Sequence, residues 1–156
     1  MEVAYLQTPI GIAEFHGDEN GLASITVLNE NKPIGTVPKV LSDAVSQLKE
    51  YFEGKRTAFD LKLNPEGTDF QKKVWDALLE IPFGKTISYL DLSKQLGDVK
   101  AIRAVASANG KNPLWILVPC HRVIGTNGDL TGYAGGLHRK KWLLEHESPA
   151  KQTTLF

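Results

Sequence analysis

One cysteine in 156 residues excludes an internal disulfide and, with it, the stapled folds of small secreted domains. A lone thiol suits a reducing compartment, where it stays nucleophilic. No run approaches the roughly 20 apolar residues that cross a bilayer, and the N-terminus lacks a basic-then-apolar signal, so a cytoplasmic protein is expected. Net charge is also absent, with 18 Lys/Arg against 18 Asp/Glu, so overall charge points to no polyanionic partner. His16, His121, His138 and His146 show no zinc-like spacing with the cysteine, and no glycine motif of a cofactor site occurs. No metal and no cofactor are expected.

The charge is unevenly placed. Residues 1–62 carry 6 Lys/Arg against 9 Asp/Glu, and residues 63–156 carry 12 against 9, which favours the second half as the partner of a polyanion, although ordinary surface scatter reaches this size. The length accommodates one substantial domain or two small ones, without repeats or low-complexity blocks.

Residues 3–8, 12–15 and 22–28 read as short strands separated by Pro9-Ile10-Gly11 and Asp18-Glu19-Asn20-Gly21, a small antiparallel sheet. Leu41, Val45, Leu48 and Phe52 follow at helical spacing, with Ser42 as a possible N-cap and Gly54 as the stop. This half shows no catalytic constellation. Leu63-Asn64-Pro65-Glu66-Gly67 is the best linker.

Thr68-Asp69-Phe70-Gln71 is a capping-box pattern, and Phe70, Val74, Trp75, Leu78 and Ile81 form the stripe of the helix that Pro82 ends. Ser88-Tyr89-Leu90-Asp91 repeats the start signal, Leu92 and Leu96 continue a stripe, and Gly97 closes it. A second short helix over about residues 100–109 completes a helix-turn-helix pattern, weak by itself because most helical hairpins bind no nucleic acid. Its side chains, Ala101, Ala104, Ala106, Ser107 and Ala108 among them, are mostly small. They suit close, sequence-tolerant minor-groove approach, or simply helix propensity and close packing. Asn127-Gly128, between Val123-Ile124 and Leu130-Thr131, signals a hairpin that can serve as the wing of a winged helix. Leu137, Trp142, Leu143 and His146 suggest a terminal helix that carries Arg139, Lys140 and Lys141 outward and ends near Glu147.

The chemistry concentrates in Leu114-Trp115-Ile116-Leu117-Val118-Pro119-Cys120-His121-Arg122. Five apolar residues before a proline read as a short buried strand or extended segment, so the thiol sits where buried structure stops. The alternative is an inert packed thiol. A free thiol with pKa about 8.5 is only partly ionised at neutral pH, so a nucleophilic role requires a nearby proton acceptor. His121 is adjacent, but the backbone decides whether its ring faces the sulfur.

Pro119-Cys120-His121-Arg122, the preceding Ser107-Ala108-Asn109-Gly110-Lys111-Asn112-Pro113 and the later Gly132-Tyr133-Ala134-Gly135-Gly136-Leu137 together resemble the O6-alkylguanine-DNA alkyltransferases, the methylated-DNA–protein-cysteine methyltransferases. The resemblance runs from about Gly67 to Glu147 and is loose before that. It implies an α/β (α+β) chain: a ribonuclease H-like subdomain over residues 1–64, a winged-helix DNA-binding and catalytic domain over 65–147, and a tail over 148–156.

It also implies single-turnover DNA repair. O6-alkylguanine in double-stranded DNA is approached from the minor groove, flipped into a pocket, and relieved of its alkyl group by Cys120. His121 then acts through a water and is held by Glu147, while Asn112 braces the cysteine turn. Tyr89 donates to the base, backbone at Cys120 and Val123 reads its Watson–Crick edge, and backbone at Tyr133 and Ala134 approaches O6. Ala101 and Ala104 lie on the helix that enters the groove, and Arg103 fills the gap left by the flipped nucleotide. No second cysteine is present to regenerate the thiol, so one turnover per molecule is expected.

Trp115 stands where some members have proline, and an indole at the pocket mouth predicts a preference for methyl over bulky adducts. The closing Gln152-Thr153-Thr154-Leu155-Phe156 resembles a sliding-clamp docking peptide, with a frayed terminus as the alternative. A monomer is expected. Three rivals remain: a non-reactive alkyltransferase-like damage sensor, a cysteine hydrolase, and a winged-helix regulator that ignores alkylation. The first is argued against by Cys120, which its relatives lack.

Overall fold

The computed structural model describes residues 1–125, 128, 133 and 135–148. Asn127, Leu130 and Thr131 of the expected wing, the loop residues Gly132 and Ala134, and the tail residues Gln152, Leu155 and Phe156 lie outside them. The chain divides into two compact units: Met1–Glu66 with Pro113–Trp115, and Gly67–Asn112 with the chain from Ile116 onward.

In the first unit β1 (Glu2–Thr8), β2 (Gly11–Asp18) and β3 (Gly21–Leu28) form an antiparallel sheet in the order β1-β2-β3. Ala4 lies opposite Phe15 and Phe15 opposite Ile25, so the two-residue period of the strands places these buried side chains on one face. β2 continues past the expected residue 15 because its pairing with β3 persists through a bulge between His16 and Gly17. A side chain at Gly17 would be crowded there: a Cβ would stand 3.0 Å from both the Leu41 side chain and the Gly21 carbonyl oxygen.

A 3-10 turn, Lys39–Leu41, leads into α1 (Ser42–Phe52). Ser42 is therefore the first helical residue and not the cap expected of it, its N–H already bonded to the Lys39 carbonyl. Leu41, Ala44, Val45, Leu48 and Tyr51 form the buried stripe, and Tyr51, not Phe52, supplies its last large side chain. Full burial of side chains of this size contributes about 1.5–3 kcal/mol each. Gly54, at φ 77°, takes the left-handed conformation that ends the helix. The Leu22 N–H donates to the Lys62 carbonyl at 2.9 Å and the Asn64 N–H to the Leu22 carbonyl at 2.8 Å, which ties the first residues of the expected linker to the sheet.

The apolar run before the cysteine is buried but is not a strand. Only Leu114 bridges, beside Ile25, whose N–H and carbonyl bond Pro113 and Trp115. The chain then turns through residues 115–117, with Ile116 at φ 71°, a costly conformation for a β-branched residue. The Trp115 indole is buried in the first unit, its ring centroid 6.0 Å from that of Phe52.

In the second unit α2 (Asp69–Leu78) opens with the complete capping box: Gln71 N–H to Thr68 Oγ1 at 3.1 Å and Thr68 N–H to Gln71 Oε1 at 2.9 Å. Val74, Trp75 and Leu78 are buried, whereas Phe70 in the first turn is exposed. β4 (Ile87–Ser88) pairs in parallel with β5 (Val123–Ile124), so Val123 and Ile124 meet the segment that enters the helix-turn-helix. Ser88 caps α3 (Tyr89–Gln95) through the Asp91 N–H, and Gly97 at φ 91° closes it. A 3-10 turn, Val99–Ala101, precedes α4 (Ile102–Gly110). The Trp75 indole N–H reaches the Ala108 carbonyl at 2.9 Å and pins α2 to α4.

α5 (Leu137–Glu147) ends where expected but faces differently. Arg139 and Lys140 are buried and only Lys141 of the basic trio is exposed, because backbone carbonyls receive the two buried cations: Gly135 for Arg139 and Val123 for Lys140. The chain is a mixed α and β structure, with the three-stranded sheet and one helix before the helical half.

Candidate active site

Cys120 opens a single 3-10 turn, Cys120–Arg122, directly after Pro119, and is 7% exposed. Its N–H donates to the Val118 carbonyl at 2.8 Å, and the same oxygen accepts the Asn112 side-chain amide at 2.7 Å. Asn112 thus closes the loop that presents the thiol. Its amide replaces the partner that a neighbouring strand would have given this carbonyl.

His121 is fully buried and its Nε2 lies 2.7 Å from Glu147 Oε2. Arg122 donates from Nε to Glu147 Oε1 at 2.7 Å, from one terminal nitrogen to Oε2 at 3.0 Å, and from the other to the Ile81 carbonyl at 2.6 Å. Its guanidinium also stands 5.9 Å from the Phe83 ring centroid. Burial alone pushes the Glu147 carboxyl up, but the hydrogen bonds and charges of His121 and Arg122 outweigh it and hold the pKa at about 2. An anionic Glu147 accepts the proton on His121 Nε2. In neutral imidazole Nδ1 is then the acceptor, and it is buried without a hydrogen-bond partner among the described residues. Burial keeps His121 neutral by lowering its pKa, against the raising effect of Glu147.

Burial also pushes the Cys120 thiol up, and the Asn112 hydrogen bond and the Lys140 charge oppose it. Lys140 is fully buried, with Nζ 2.7 Å from the Val123 carbonyl, and desolvation lowers its pKa while the nearby Cys120 raises it. The buried thiol thus has Asn112 and Lys140 beside it and shares its turn with His121, whose ring is held by Glu147, itself held by Arg122. A proton taken up on His121 would be compensated by the anionic Glu147.

Asn112 and Cys120 meet on the Val118 carbonyl, and Glu147 meets His121, the residue that follows Cys120. Tyr89 stands at the start of α3, its hydroxyl bonded to Asn109 at 3.1 Å. Arg103 and Ala104 are exposed on α4 and Ala101 is half-buried just before it. Val123 is fully buried, its N–H on the Cys120 carbonyl and its own carbonyl on Lys140. Tyr133 is half-buried, and Ala134 lies outside the described residues.

Arg122, Lys140 and Asn109 were not among the sequence candidates. Arg122 stood inside the motif, and a charged residue beside a buried nucleophile is itself a signal. Lys140, Leu143 and Glu147 fall on one helical stripe, the only trace in the sequence that Lys140 turns inward.

Residues 1–65 match the model of the 6-O-methylguanine DNA methyltransferase ribonuclease-like domain, and residues 69–149 that of the same family's DNA binding domain. The chain belongs to this methyltransferase family. The methylated-DNA–protein-cysteine methyltransferase of Methanosarcina acetivorans is 48% identical over 154 residues, covering 94% of this chain and 98% of that protein. That of Mycobacterium bovis is 48% identical over 147 residues, 91% of this chain and 89% of that protein. The crystal structure of Mycobacterium tuberculosis OGT in complex with DNA matches with a TM-score of 0.86 and 44% identity over 100% of both chains. Every residue of the buried network, from Tyr89 to Glu147, falls in the part that matches the family's DNA binding domain.

Proposed function

We propose that this chain repairs DNA by taking the alkyl group of O6-alkylguanine, chiefly methyl, onto Cys120 in one irreversible turnover. The observation that carries the reading is the buried chain of contacts from the Cys120 turn through His121 to Glu147 and Arg122, in a member of this methyltransferase family.

An alkyl group on guanine O6 lies inside the duplex, so the nucleotide must leave the stack before sulfur can reach it. The exposed α4 face supplies the contact: small Ala104 and half-buried Ala101 allow close approach to the minor groove, and Arg103 reaches into the space of the flipped nucleotide. Cys120 passes its proton to His121 Nδ1 through a water, and the imidazolium is stabilised by Glu147, itself held anionic by Arg122. The sulfur attacks the alkyl carbon in line, the S–C bond forms as the C–O bond breaks, and the electron pair remains on guanine. Tyr89 donates a hydrogen bond to the leaving base, which takes up one proton to become guanine. Backbone at Cys120, Val123, Tyr133 and Ala134 orients it.

The thioether has no route back, so one protein repairs one lesion. The protein acts as a cytoplasmic monomer without metal or cofactor, and its tail docks on a sliding clamp through Gln152, Leu155 and Phe156. Deletion of residues 152–156 abolishes clamp pull-down on this reading, and unchanged pull-down overturns that part alone. The test of the reaction is intact mass and peptide mapping after incubation with excess duplex DNA carrying one O6-methylguanine. The expected result is one added methyl on the Cys120 peptide and product capped at one equivalent of protein. Lesion-selective binding without added mass supports the non-reactive damage sensor instead.

A further inference from the structure

We propose that Asn109 is a positioning residue that fixes the Tyr89 hydroxyl as a donor toward the flipped base. The inference rests on the alkyl-transfer reading above.

Asn109 lies in the last turn of α4, is 3% exposed, and directs its side-chain Nδ2 to the Tyr89 hydroxyl oxygen at 3.1 Å, across from the start of α3. A phenolic hydroxyl has one proton to give and two lone pairs to receive. Because Asn109 donates in this contact, the Tyr89 oxygen accepts and its own proton is not used on Asn109. A hydroxyl that accepts one hydrogen bond also becomes a better donor of its own, since the two bonds polarise each other. The partner this polarity selects is an acceptor atom, which a purine base edge offers.

Asn109 Oδ1 is buried and has no hydrogen-bond partner among the described residues. The reversed amide would pair Oδ1 with the Tyr89 proton, leave Nδ2 unpaired, and take from the base the donor it needs. One buried amide thus has two orientations that differ in where the Tyr89 proton points, and a bound base acceptor favours the one observed. A residue present only for packing needs no amide here: a leucine, with the same branching of side-chain heavy atoms, packs without an orphaned oxygen.

The experiment is a double-mutant cycle on single-turnover methyl transfer from O6-methylguanine duplex DNA, with affinity for unmodified duplex measured alongside. The unsubstituted protein in the same assay tests the alkyl-transfer reading: if it transfers no methyl, that reading fails, whereas the cycle tests Asn109 only where transfer occurs. Asn109→Leu is expected to slow transfer about tenfold when Tyr89 is present and less than about twofold in the Tyr89→Phe background, with duplex affinity unchanged. Asn109→Asp, whose carboxylate can only accept, is expected to be slower than Asn109→Leu with Tyr89 present and equal to it in Tyr89→Phe. If Asn109→Leu does not fold, Asn109→Asp against the unsubstituted protein in both backgrounds completes the cycle. Equal losses in the two backgrounds would show that Asn109 acts through packing and overturn the proposal.

Discussion

Arg122 grips Glu147 through both carboxylate oxygens, at 2.7 and 3.0 Å, while Glu147 in turn holds the His121 ring at 2.7 Å. The pair is buried, so the two charges are worth keeping only together. Arg122→Met takes the cationic partner from the buried Glu147 carboxylate and is expected to lower unfolding stability by about 3–5 kcal/mol in denaturant titrations. Transfer also slows, because Glu147 beside His121 is no longer held in place and anionic by Arg122. A loss below about 1 kcal/mol would mean that water reaches Glu147.

Acid sensitivity follows from two groups with definite signs. Glu147 titrates at about 2 when folded against an ordinary 4.5, so its contribution to stability is complete above pH 4.5 and is lost as pH falls toward 2. The shift corresponds to about 3 kcal/mol. Burial holds His121 below its ordinary 6.5, so the unfolded imidazole binds a proton first and a further loss begins as pH falls below 6.5. Unfolding free energy measured from pH 7 to pH 2 is expected to decline first below 6.5, through His121, and then below 4.5, through Glu147. Glu147→Gln removes the lower part of the decline while reducing stability at pH 7, and an unchanged lower limb contradicts the assignment.

Lys140 places a buried cation near Cys120 and satisfies the Val123 carbonyl. Lys140→Met keeps the apolar stem and removes the charge, so the thiol pKa rises further above its ordinary value. Transfer at neutral pH is expected to fall by about tenfold for each unit of that rise and to recover as pH increases. A pH–rate profile that drops uniformly, without an alkaline displacement, would assign Lys140 to packing alone.

Gly67, just before the capping box of α2, has no room for a side chain. A Cβ there would stand 2.5 and 2.6 Å from two ring carbons of Trp75, which is itself held by its bond to the Ala108 carbonyl. Gly67→Ala is expected to destabilise the protein by about 1–3 kcal/mol. Thermal unfolding checks it, and an unshifted Tm shows that the indole can move.

What was legible in the sequence was local. Thr68 with Gln71 and Ser88 with Asp91 announced their helices because a cap is made by residues three apart, and both caps are present. Ser42 carried the same chemistry and did not cap, since the 3-10 turn before it already sets it at helical φ −63° and ψ −40°, not in the extended backbone of a cap. The burial of residues 114–118 was evident from their composition. Their turn was not, because the Asn112 amide takes the carbonyl that a strand would have offered a neighbour.

The sequence by itself determined the sheet, the capped helices and the suspect nucleophile, a single cysteine followed by histidine, since each depends on neighbours or short periods. Only the tertiary structure decided that His121 and Arg122 share Glu147, 26 and 25 residues away, and that Lys140 turns inward. The physical reason is that a buried charge is tolerated only where a distant partner meets it. Chain folding creates that coincidence, and local pattern does not record it.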